Sequence, residues 1–474
     1  MPGIQPADCI IENRTFDELT IGETASMSHS VTQRDIDLFA TVTGDVNPAY
    51  VDPAFAATGM FHHIIIPGTW GAGLISAVLG TKLPGPGTIY LGQDLQFLNP
   101  ISIGDTITAT LTVAEKRPAT GPAQGNVTLD CVCTNQDGKA VITGTAEARA
   151  PAEKIRRKRM VLPDVSVGRH DALKAILGRA ANGKPAAAAI VYPIHAGSFE
   201  VALEAARAGL ITPLLIGPVA LMRQAASAAG LDIAALRTIE APTPAAASAQ
   251  AVELAQRGDV DLLMKGDLHT DILMHAVIGT GLRDDRQISH VYLMDVPGYP
   301  RPLLITDAGI NIKPDLAAKA GIIQNAIELA HVIGLARPRV AILAAVETVS
   351  ARLPSTLDAA ALCKMADRGQ ITGGLLDGPL GFDNAVSEAA AAEKGIVSEV
   401  AGKADILVVP DLEAGNMLTK QLIFLSGAAA AGIVLGARVP IILTSRADSA
   451  RTRIASCALG VLVARRLGDG NRHS

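Results

Sequence analysis

The spacing of apolar residues changes near residue 150, and this change constrains the fold more than any other feature. Before it, apolar and polar residues alternate, as in the run 106–113, where Ile107, Ala109, Leu111 and Val113 share one face. Such alternation is typical of an antiparallel sheet with one covered face. After it, short continuous apolar runs alternate with alanine-rich helical stretches. The chain therefore predicts two domains of different classes, α+β first and α/β second.

The second part predicts a mostly parallel sheet that is covered by helices on both faces, because continuous apolar runs suit strands buried on both sides. The predicted strands are 187–192, 213–216, 261–264, 290–294, 302–305, 340–345, 374–376, 405–409 and 440–443. A chain of 474 residues is too long for one ordinary core. We expect one domain over 1–150, a linker over 151–165 that includes a solvated basic run at 154–159, and a second domain over 166–474.

The first part predicts a hot-dog arrangement. The stretch 69–83 is apolar nearly all round and rich in small residues, which is typical of a buried helix. Strands around 106–113, 127–133 and 139–149 follow it, and Cys131 and Cys133 fall on one face of the second of these as small core residues. One long helix clasped by an antiparallel sheet is the hot-dog fold.

Composition excludes several functions. The net charge of -5 and the lack of a basic stripe predict no nucleic-acid partner. The amino terminus lacks the pattern of a secretory signal. Arg438, Pro440 and several glycines interrupt the longest apolar stretch, 422–443, which therefore predicts a buried helix and strand and no membrane partner. The five cysteines have neither metal nor disulfide spacing. We expect a cytoplasmic protein without a metal.

Polar residues follow the predicted strands of the second part, where open α/β sheets bind their ligands. Each of them could instead be a helix cap or a loop residue. Together they predict a site at one edge of the sheet, although their convergence is inferred. They are His195, Lys265, Asp307, Glu347, Asp377, Asp411 and Ser445.

This site should bind an anion. Gly415 and Asn416 open a helical stretch, whose free amides would favour phosphate. Lys420 follows one turn later, and Arg446 offers a planar fork for phosphate oxygens. The sequence has no Walker motif and no Gly-x-Gly-x-x-Gly after a strand, which argues against nucleotide hydrolysis and dinucleotide binding.

Four motifs of the second part, in this order, resemble the phosphate acetyl/butyryltransferase family over nearly all of 185–465. They are DLLMKG at 261–266, GPLGFDNA at 378–385, PDLEAGN at 410–416 and TSRADS at 444–449. The resemblance implies transfer of a short-chain acyl group between coenzyme A and phosphate. It also implies that acyl-CoA, coenzyme A and phosphate are the binding partners, that no cofactor is permanently bound, and that the chain is a homo-oligomer.

The resemblance also implies roles for residues in these motifs. Arg446 would bind phosphate and stabilise developing charge, and Ser445 would hydrogen-bond near the reacting carbonyl. Asp448 is the candidate base for the thiol, with a helix N-cap as the alternative.

Other residues of the second part are predicted to bind phosphate or coenzyme A. They are Lys265, Arg283, Asn416 and Lys420, and a plain loop charge is the alternative for Arg283. Acetyl-specific relatives carry an arginine where Met274 stands here, and 383–387 is butyryl-like. The acyl-chain preference therefore stays open.

Residues of roughly 15–150 resemble the MaoC-like, (R)-specific enoyl-CoA hydratase family. The motifs are TGDVNP at 43–48, DPAFA at 52–56 and the long helix after Gly68. The resemblance implies that Asp45 activates water, that the Gly68 amide binds the thioester oxygen, and that Ser76 lies in the site. The family histidine is Tyr50 here, and a phenol with a pKa near 10 is a poor base at neutral pH.

Several functional hypotheses remain open. The hot-dog domain would be an active hydratase in a bifunctional enzyme, or only a module that binds acyl-CoA or dimerises. For the whole chain, the alternatives to a transferase are a non-catalytic acyl-CoA sensor or scaffold and a decarboxylating hydroxy-acid dehydrogenase. A dehydrogenase would need an aspartate metal cluster and a nicotinamide site, and the sequence has no clear spacing for either.

Overall fold

The computed structural model describes residues 10–118, 125–160, 165, 171–279, 281–283, 286–443 and 448–470. Residues 469 and 470 are described by their backbone alone. The chain divides into two compact units, Met1–Val167 and Gly168–Ser474. Ser445 and Arg446 lie outside the described residues. Among the helices that are described, none has the length and apolarity needed to cross a membrane.

The first unit contains nine strands and four helices in its described residues. The strands are β1 (Ile10–Glu12), β2 (Thr24–Ser30), β3 (Ile65–Ile66), β4 (Ile89–Phe97), β5 (Ile101–Ser102), β6 (Thr106–Pro118), β7 (Gly125–Thr134), β8 (Ala140–Ala150) and β9 (Arg156–Lys158). The helices are α1 (Gln33–Thr43), α2 (Pro48–Val51), α3 (Pro53–Thr58) and α4 (Gly68–Thr81).

The hot-dog arrangement is confirmed. Strands β2-β6-β7-β8-β4 form an antiparallel sheet, and α4 contacts all five of them. The alternation predicted for β6 and β7 is also confirmed, since Ile107 and Cys131 are fully buried. Small residues let α4 approach the sheet closely, because a Cβ at Gly71 would lie 2.4 Å from Ile142 Cδ1.

The basic residues of the run 154–159 are exposed, as predicted, but part of the segment also pairs with residues of the first unit that are distant in sequence. Residues of β9 pair with β1. The Ile155 amide donates to Asn13 Oδ1 at 2.9 Å, and the Lys154 ammonium lies 2.8 Å from Glu18 and 3.1 Å from Glu12. These partners are distant in sequence, so the local composition could not reveal them.

The second unit contains eleven strands and eleven helices in its described residues. The strands are β10 (Ala186–Val191), β11 (Ile211–Gly217), β12 (Arg237–Glu240), β13 (Leu262–Lys265), β14 (Ser289–Asp295), β15 (Leu303–Thr306), β16 (Arg339–Leu343), β17 (Leu375–Leu380), β18 (Ile406–Val408), β19 (Ala429–Leu435) and β20 (Ile441–Ile442). The helices are α5 (Asp171–Ala181), α6 (Ala196–Arg207), α7 (Val219–Ala228), α8 (Pro244–Gln256), α9 (Thr270–Gly279), α10 (Leu316–Val332), α11 (Pro354–Asp367), α12 (Phe382–Val386), α13 (Glu388–Glu393), α14 (Leu412–Ser426) and α15 (Ala450–Gly470).

These strands form one sheet in the order β12-β11-β10-β13-β20-β19-β14-β15-β18-β16-β17. Each of the nine predicted strands overlaps one of them, whereas β12 and β19 were not predicted. The strands β12-β11-β10-β13-β20 form one parallel block. The strands β15-β18-β16-β17 form a second parallel block. Antiparallel pairing of β19 with β20, and of β14 with both β19 and β15, joins these two blocks. The mostly parallel sheet is confirmed, and its two blocks run in opposite directions.

The offset between the blocks brings their carboxyl edges together. Ile441 of β20 pairs with Val434 of β19, which pairs with His290 of β14. The next residue of β14, Val291, pairs with Thr306 at the end of β15. The ends of β20 and β15 therefore lie at nearly the same level, on either side of β14 and β19. The sequence predicts one edge where the polar strand ends meet. In the structure, this place is formed by the carboxyl ends of the two blocks, which point toward each other.

The two faces of the sheet are covered differently. On one face, a core shared by both blocks packs against α5, α6, α7, α10, α11 and α15. On the other face there are two separate cores, one under α8 and α9 and one under α12, α13 and α14. Helices thus cover both faces, as predicted, and the second face has a gap between its two cores.

We expect Gly144→Ala to destabilise the first unit. Gly144 has φ of +154°, and a Cβ there would lie 1.9 Å from Asp94 O in the neighbouring strand. Separating two paired backbones should cost at least about 2 kcal/mol of unfolding free energy. Denaturant unfolding measures it. Gly73→Ala in α4 is the control, because a Cβ there has no neighbour within 4 Å, so it should stabilise by about 0.5–1 kcal/mol. Equal effects of the two substitutions would contradict the sheet register.

Candidate active site

Strand β14 places two polar side chains over the gap in the second face. Val291 and Leu293 belong to the core of the first face. Because successive side chains of a strand point to opposite faces, His290 and Tyr292 lie on the other one. Their rings meet edge to face with centroids 4.5 Å apart. The strand thus carries a polar aromatic pair between the two blocks.

Two glycines make room for this pair. A Cβ at Gly432, which is opposite Tyr292 in β19, would lie 3.0 Å from the tyrosine ring and 3.1 Å from His290 Nε2. A Cβ at Gly309 would lie 3.2 Å from the histidine ring. Any larger side chain at these positions would displace the rings, so the backbone is fitted to them.

Burial changes the acid–base properties of both rings. His290 is only 3% exposed, and desolvation lowers its pKa to about 4 although the Asp307 charge acts in the opposite direction. The histidine is therefore neutral at physiological pH. Burial, aided by the Asp448 charge, raises the pKa of Tyr292 to about 12. Both side chains are therefore polar and uncharged near neutral pH.

Two adjoining cavities open at this pair. The His290 cavity, of about 440 Å³, is lined by Lys265, Leu268, His269, Thr270, His290, Tyr292, Ala308, Gly309, Asn416 and Leu443. The Lys420 cavity, of about 470 Å³, is lined by Tyr292, Asn416, Thr419, Lys420, Ile423, Phe424, Gly427, Ala428, Ala429, Asp448, Ser449, Arg451 and Thr452. Tyr292 and Asn416 line both cavities, so the two form one divided cleft.

Four of the predicted site residues meet at this cleft, although they come from distant parts of the chain. Lys265 lines the His290 cavity from the end of β13, and Asn416 lines both cavities from α14. Lys420 and Asp448 line the second cavity. Leu443 and Asp448, which flank the undescribed segment with Ser445 and Arg446, each line one of the cavities.

Arg283 lies in a different place. It lines a separate cavity of about 680 Å³ with Arg286, Lys313 and the first turn of α10. Its Nε donates to Arg286 O at 3.2 Å, and its backbone forms an isolated bridge with Ala437. The structure does not bring Arg283 to the divided cleft.

The prediction that Gly415 and Asn416 open a helix with free amides is wrong. Helix α14 begins at Leu412, and the Asp411 carboxylate accepts from the Ala414 amide at 2.9 Å. The Gly415 amide donates to Asp411 O at 3.2 Å. The chain's own carboxylate therefore occupies the anion position. Gly415 instead allows close packing, because a Cβ there would lie 2.6 Å from Asp307 O.

Other carboxylates that follow the predicted strands have structural roles. Asp267 accepts from the Ile194 and His195 amides at 2.7 and 2.9 Å. Asp307 accepts from three backbone amides in the turn after β15. Asp377 lies inside β17, which continues to Leu380, and not at the end of a strand. For Asp267 and Asp307, stabilising the loop or turn is the role that the contacts show.

Glu347 also has local partners. It accepts from Asn384 Nδ2 at 3.2 Å and forms an ion pair with Lys394. The hydrogen bond from Lys394 lowers the pKa of the Glu347 carboxyl. Neither of the two cavities of the cleft is lined by Glu347 in the described residues.

The N-cap of α15 is Ser449. Its Oγ accepts from the Thr452 amide at 3.1 Å, and the helix begins at Ala450. Asp448 precedes this cap, lines the Lys420 cavity and acts electrostatically on Tyr292. The residue that caps α15 is therefore Ser449 and not Asp448.

The sequence prediction missed His290, Tyr292 and Arg451 as lining residues of the cleft. His290 and Tyr292 were treated as part of an apolar strand. Their alternation with Val291 and Leu293 was the available signal, because it places two polar rings on one face. Arg451 gave no signal, since nothing local distinguishes it from a solvated helix residue.

The hydratase-like residues of the first unit form no hydrogen bonds with one another in the described part of the chain. Asp45 accepts from the Asn47 amide at 3.2 Å, so it shapes the turn before α2. Tyr50 packs against the core. Gly68 begins α4, where a Cβ would lie 2.5 Å from the Phe97 ring, and Ser76 is exposed on the same helix.

The nearby histidines of the first unit have other partners. His63 Nε2 lies 2.8 Å from Ser102 Oγ, and His62 Nδ1 lies 3.2 Å from Ala57 O. No hydrogen bond between either ring and Asp45 is present among the residues described.

Known proteins resemble each unit separately. The family model for phosphate acetyl/butaryl transferase matches residues 243–461. The phosphate acetyltransferase of Rhizobium meliloti is 60% identical over 284 residues, which are 60% of this chain and 90% of that protein. The chain belongs to the phosphate acetyl/butyryltransferase family. The model for a MaoC like domain matches residues 19–133, so a MaoC-like domain precedes the transferase-family unit.

Two further relatives support this membership. The phosphate butyryltransferase of Clostridium beijerinckii is 42% identical over 269 residues, or 56% of this chain and 89% of that protein. The crystal structure of a branched-chain phosphotransacylase from Enterococcus faecalis is 26% identical, covers 59% of this chain and 99% of its own, and has a TM-score of 0.53. The family fold therefore extends over the second unit.

We expect Ser449→Ala to lower the unfolding free energy of the transferase-family unit by about 1 kcal/mol, because the Thr452 amide loses its cap. Asp448→Ala should cost less, since the capping oxygen belongs to Ser449. Denaturant unfolding of both variants measures the difference. A larger loss in Asp448→Ala than in Ser449→Ala would restore Asp448 as the capping residue.

Proposed function

We propose that the second unit transfers a short-chain acyl group between coenzyme A and phosphate at the divided cleft. One observation carries the proposal. Lys265, Asn416 and Asp448, from three separate family motifs, line its two adjoining cavities. Lys420 adds a second ammonium group. Membership in the phosphate acetyl/butyryltransferase family supports the same conclusion. Coenzyme A and phosphate are then substrates, and no permanently bound cofactor is required.

The chemistry needs charge stabilisation and one proton carrier. In the direction of acyl phosphate formation, a phosphate oxygen forms a bond to the thioester carbon. The carbon–sulfur bond then breaks, and sulfur leaves with the bonding electrons and takes up the proton that the attacking phosphate gives up. Asp448 is the proposed carrier of that proton and, in reverse, the base for the thiol. The proton need not cross the protein, because Asp448 lines the cleft.

The charge on oxygen is the larger energetic problem. Donors that are already oriented toward it stabilise the transition state without reorganisation. We assign Arg446 to the phosphate and Ser445 to the neighbourhood of the reacting carbonyl, because their chain neighbours Leu443 and Asp448 line the two cavities. Lys265 and Lys420 add positive charge on either side. The family resemblance also supports a homo-oligomer as the active form.

The transferase assay tests this function directly. The full-length protein is mixed with coenzyme A and acetyl, propionyl or butyryl phosphate, and thioester formation is followed. We expect turnover with at least one donor, and a loss of at least about 100-fold in kcat for Arg446→Ala. The control is Arg368→Ala at the exposed end of α11, which should retain turnover. No turnover with any donor at high enzyme concentration would contradict the function, and normal kinetics in Arg446→Ala would contradict the residue assignment.

We propose that the MaoC-like unit hydrates enoyl-CoA slowly or not at all, because Tyr50 stands where the family has its histidine base. Tyr50→His should raise the rate of crotonyl-CoA hydration at least about 10-fold, since a positioned base contributes that much or more. Tyr50→Phe keeps the packing against the core without adding a base, so it should bring no gain. If Tyr50→His hydrates crotonyl-CoA no faster than the wild type, this account is contradicted.

A further inference from the structure

His290 is a buried polar side chain with an unused hydrogen-bonding atom at the proposed site. Its Nδ1 is inaccessible to solvent and has no hydrogen-bond partner among the described residues. Five other buried side-chain atoms in the described residues share this condition, on Asn126, Gln250, Arg301, Asn384 and Arg465. None of these five residues lines either cavity of the cleft in the described part. Of these six residues with an orphaned atom, only His290 lines the cleft in the described part of the chain.

An orphaned polar group of this kind destabilises a fold, and native proteins contain few of them. The chain nevertheless places glycines at 309 and 432 around the ring, and a Cβ at either would lie 3.2 Å or less from it. An apolar ring of similar size would fill the same space without the cost. Because His290 lines the His290 cavity, a substrate there can become the partner of the ring after a small movement that uncovers a nitrogen.

We propose that His290 donates a hydrogen bond from its neutral imidazole to the carbonyl oxygen of the acyl group that is transferred. This role rests on the transferase function proposed above and adds a residue to it. No proton moves to or from the histidine. The carbonyl oxygen gains negative charge when the phosphate oxygen adds, and it returns that charge when the carbon–sulfur bond breaks.

The electrostatics favour a donor over a base. With a pKa of about 4, the imidazole would be a weak acceptor for a thiol proton, since an ordinary thiol has a pKa near 8.5. A neutral imidazole still carries one N–H, and this N–H persists across the physiological range. A preorganised neutral donor suits an oxygen that becomes charged only in the transition state.

The surroundings of the cavity agree with an acyl group there. Leu268, Ala308 and Leu443 give it apolar walls beside Lys265, and Lys420 and Arg451 line the adjoining cavity together with Asp448. Each cavity thus has cationic side chains for phosphate, and an acyl carbonyl fits beside His290.

The groups that face His290 determine how its role should depend on pH. They are Tyr292 on the same strand, Asp307 after β15, and Lys265 and His269 across the cavity. Gly432 and Asn416, from β19 and α14, bring no titratable group. Because burial keeps His290 neutral above about pH 4, its contribution to the rate should not change between about pH 5 and 8.

The test uses the full-length enzyme with three substitutions. His290→Ala removes the donor, His290→Asn places an amide N–H near the position of Nδ1, and His290→Gln places one near Nε2. We expect His290→Ala to lose about 100-fold in kcat with KM values changed less than about threefold. One amide variant should recover at least about tenfold over alanine. The ratio of wild-type to alanine rates should be constant from about pH 5 to 8.

The control is His331→Ala, at an exposed position in the last turn of α10, which should keep the wild-type kcat. A normal kcat in His290→Ala, a loss confined to KM, or amide variants no better than alanine would overturn the proposal. So would a rate ratio that titrates near pH 6.5, because that is the behaviour of a base. If His290→Ala does not fold, equal kcat values in the two amide variants contradict the proposal, and a difference of at least about tenfold between them supports it.

Failure of the transferase function gives a different result from failure of this inference. A wild-type enzyme without turnover contradicts the proposed function and, with it, the role of His290. If the wild type turns over and His290→Ala has the same kcat, only the role of His290 is contradicted.

Discussion

The antiparallel pairing of β14 with β15 and β19 is the constraint on which the site depends. Together with the antiparallel pairing of β19 with β20, it reverses the direction of the sheet between its two parallel blocks. The offset of this pairing sets the ends of β20 and β15 at nearly the same level. Without the offset, two blocks of opposite direction would present their carboxyl ends at opposite edges. The cleft therefore follows from register, and register is specified by which side chains each strand must bury.

The same register decides which side chains of β14 reach the cleft. Val291 and Leu293 are buried in the continuous core of one face, so His290 and Tyr292 lie over the gap on the other. Both rings are uncharged at neutral pH because burial opposes their ionised forms. Positive charge comes from side chains farther out, on β13 and α14. A neutral centre with charged side chains beside it suits a reaction in which charge appears on oxygen only briefly.

Much of the fold was predictable because continuous apolar runs are a strong signal for strands buried on both faces. The two strands missed in the second unit show the limit of this signal. Strand β12 lies at the edge of the sheet and is half exposed, so it has no apolar run, and the first half of β19 consists of alanine and glycine. Contacts between distant residues were also unreadable, as with the pairing of β9 with β1.

The residues of the candidate site were predictable where they belong to sequence motifs. They were not predictable where tertiary packing alone places them in the site. Lys265, Asn416 and Asp448 belong to recognisable motifs and lie at the cleft. Asp411 shows a local signal that was missed, since an aspartate N-cap accepts from an amide only three residues later and so occupies the start of α14. His290 depends on a core on one face, a gap on the other and two glycines, none of which is local in sequence.

The most direct test of this account is a crystal structure of the full-length protein with coenzyme A and inorganic phosphate. The account predicts the coenzyme A sulfur and the phosphate in the two adjoining cavities, with Tyr292 and Asn416 between them. Binding of both ligands in the separate cavity beside Arg283 and Arg286, with the cleft at His290 empty, would contradict it.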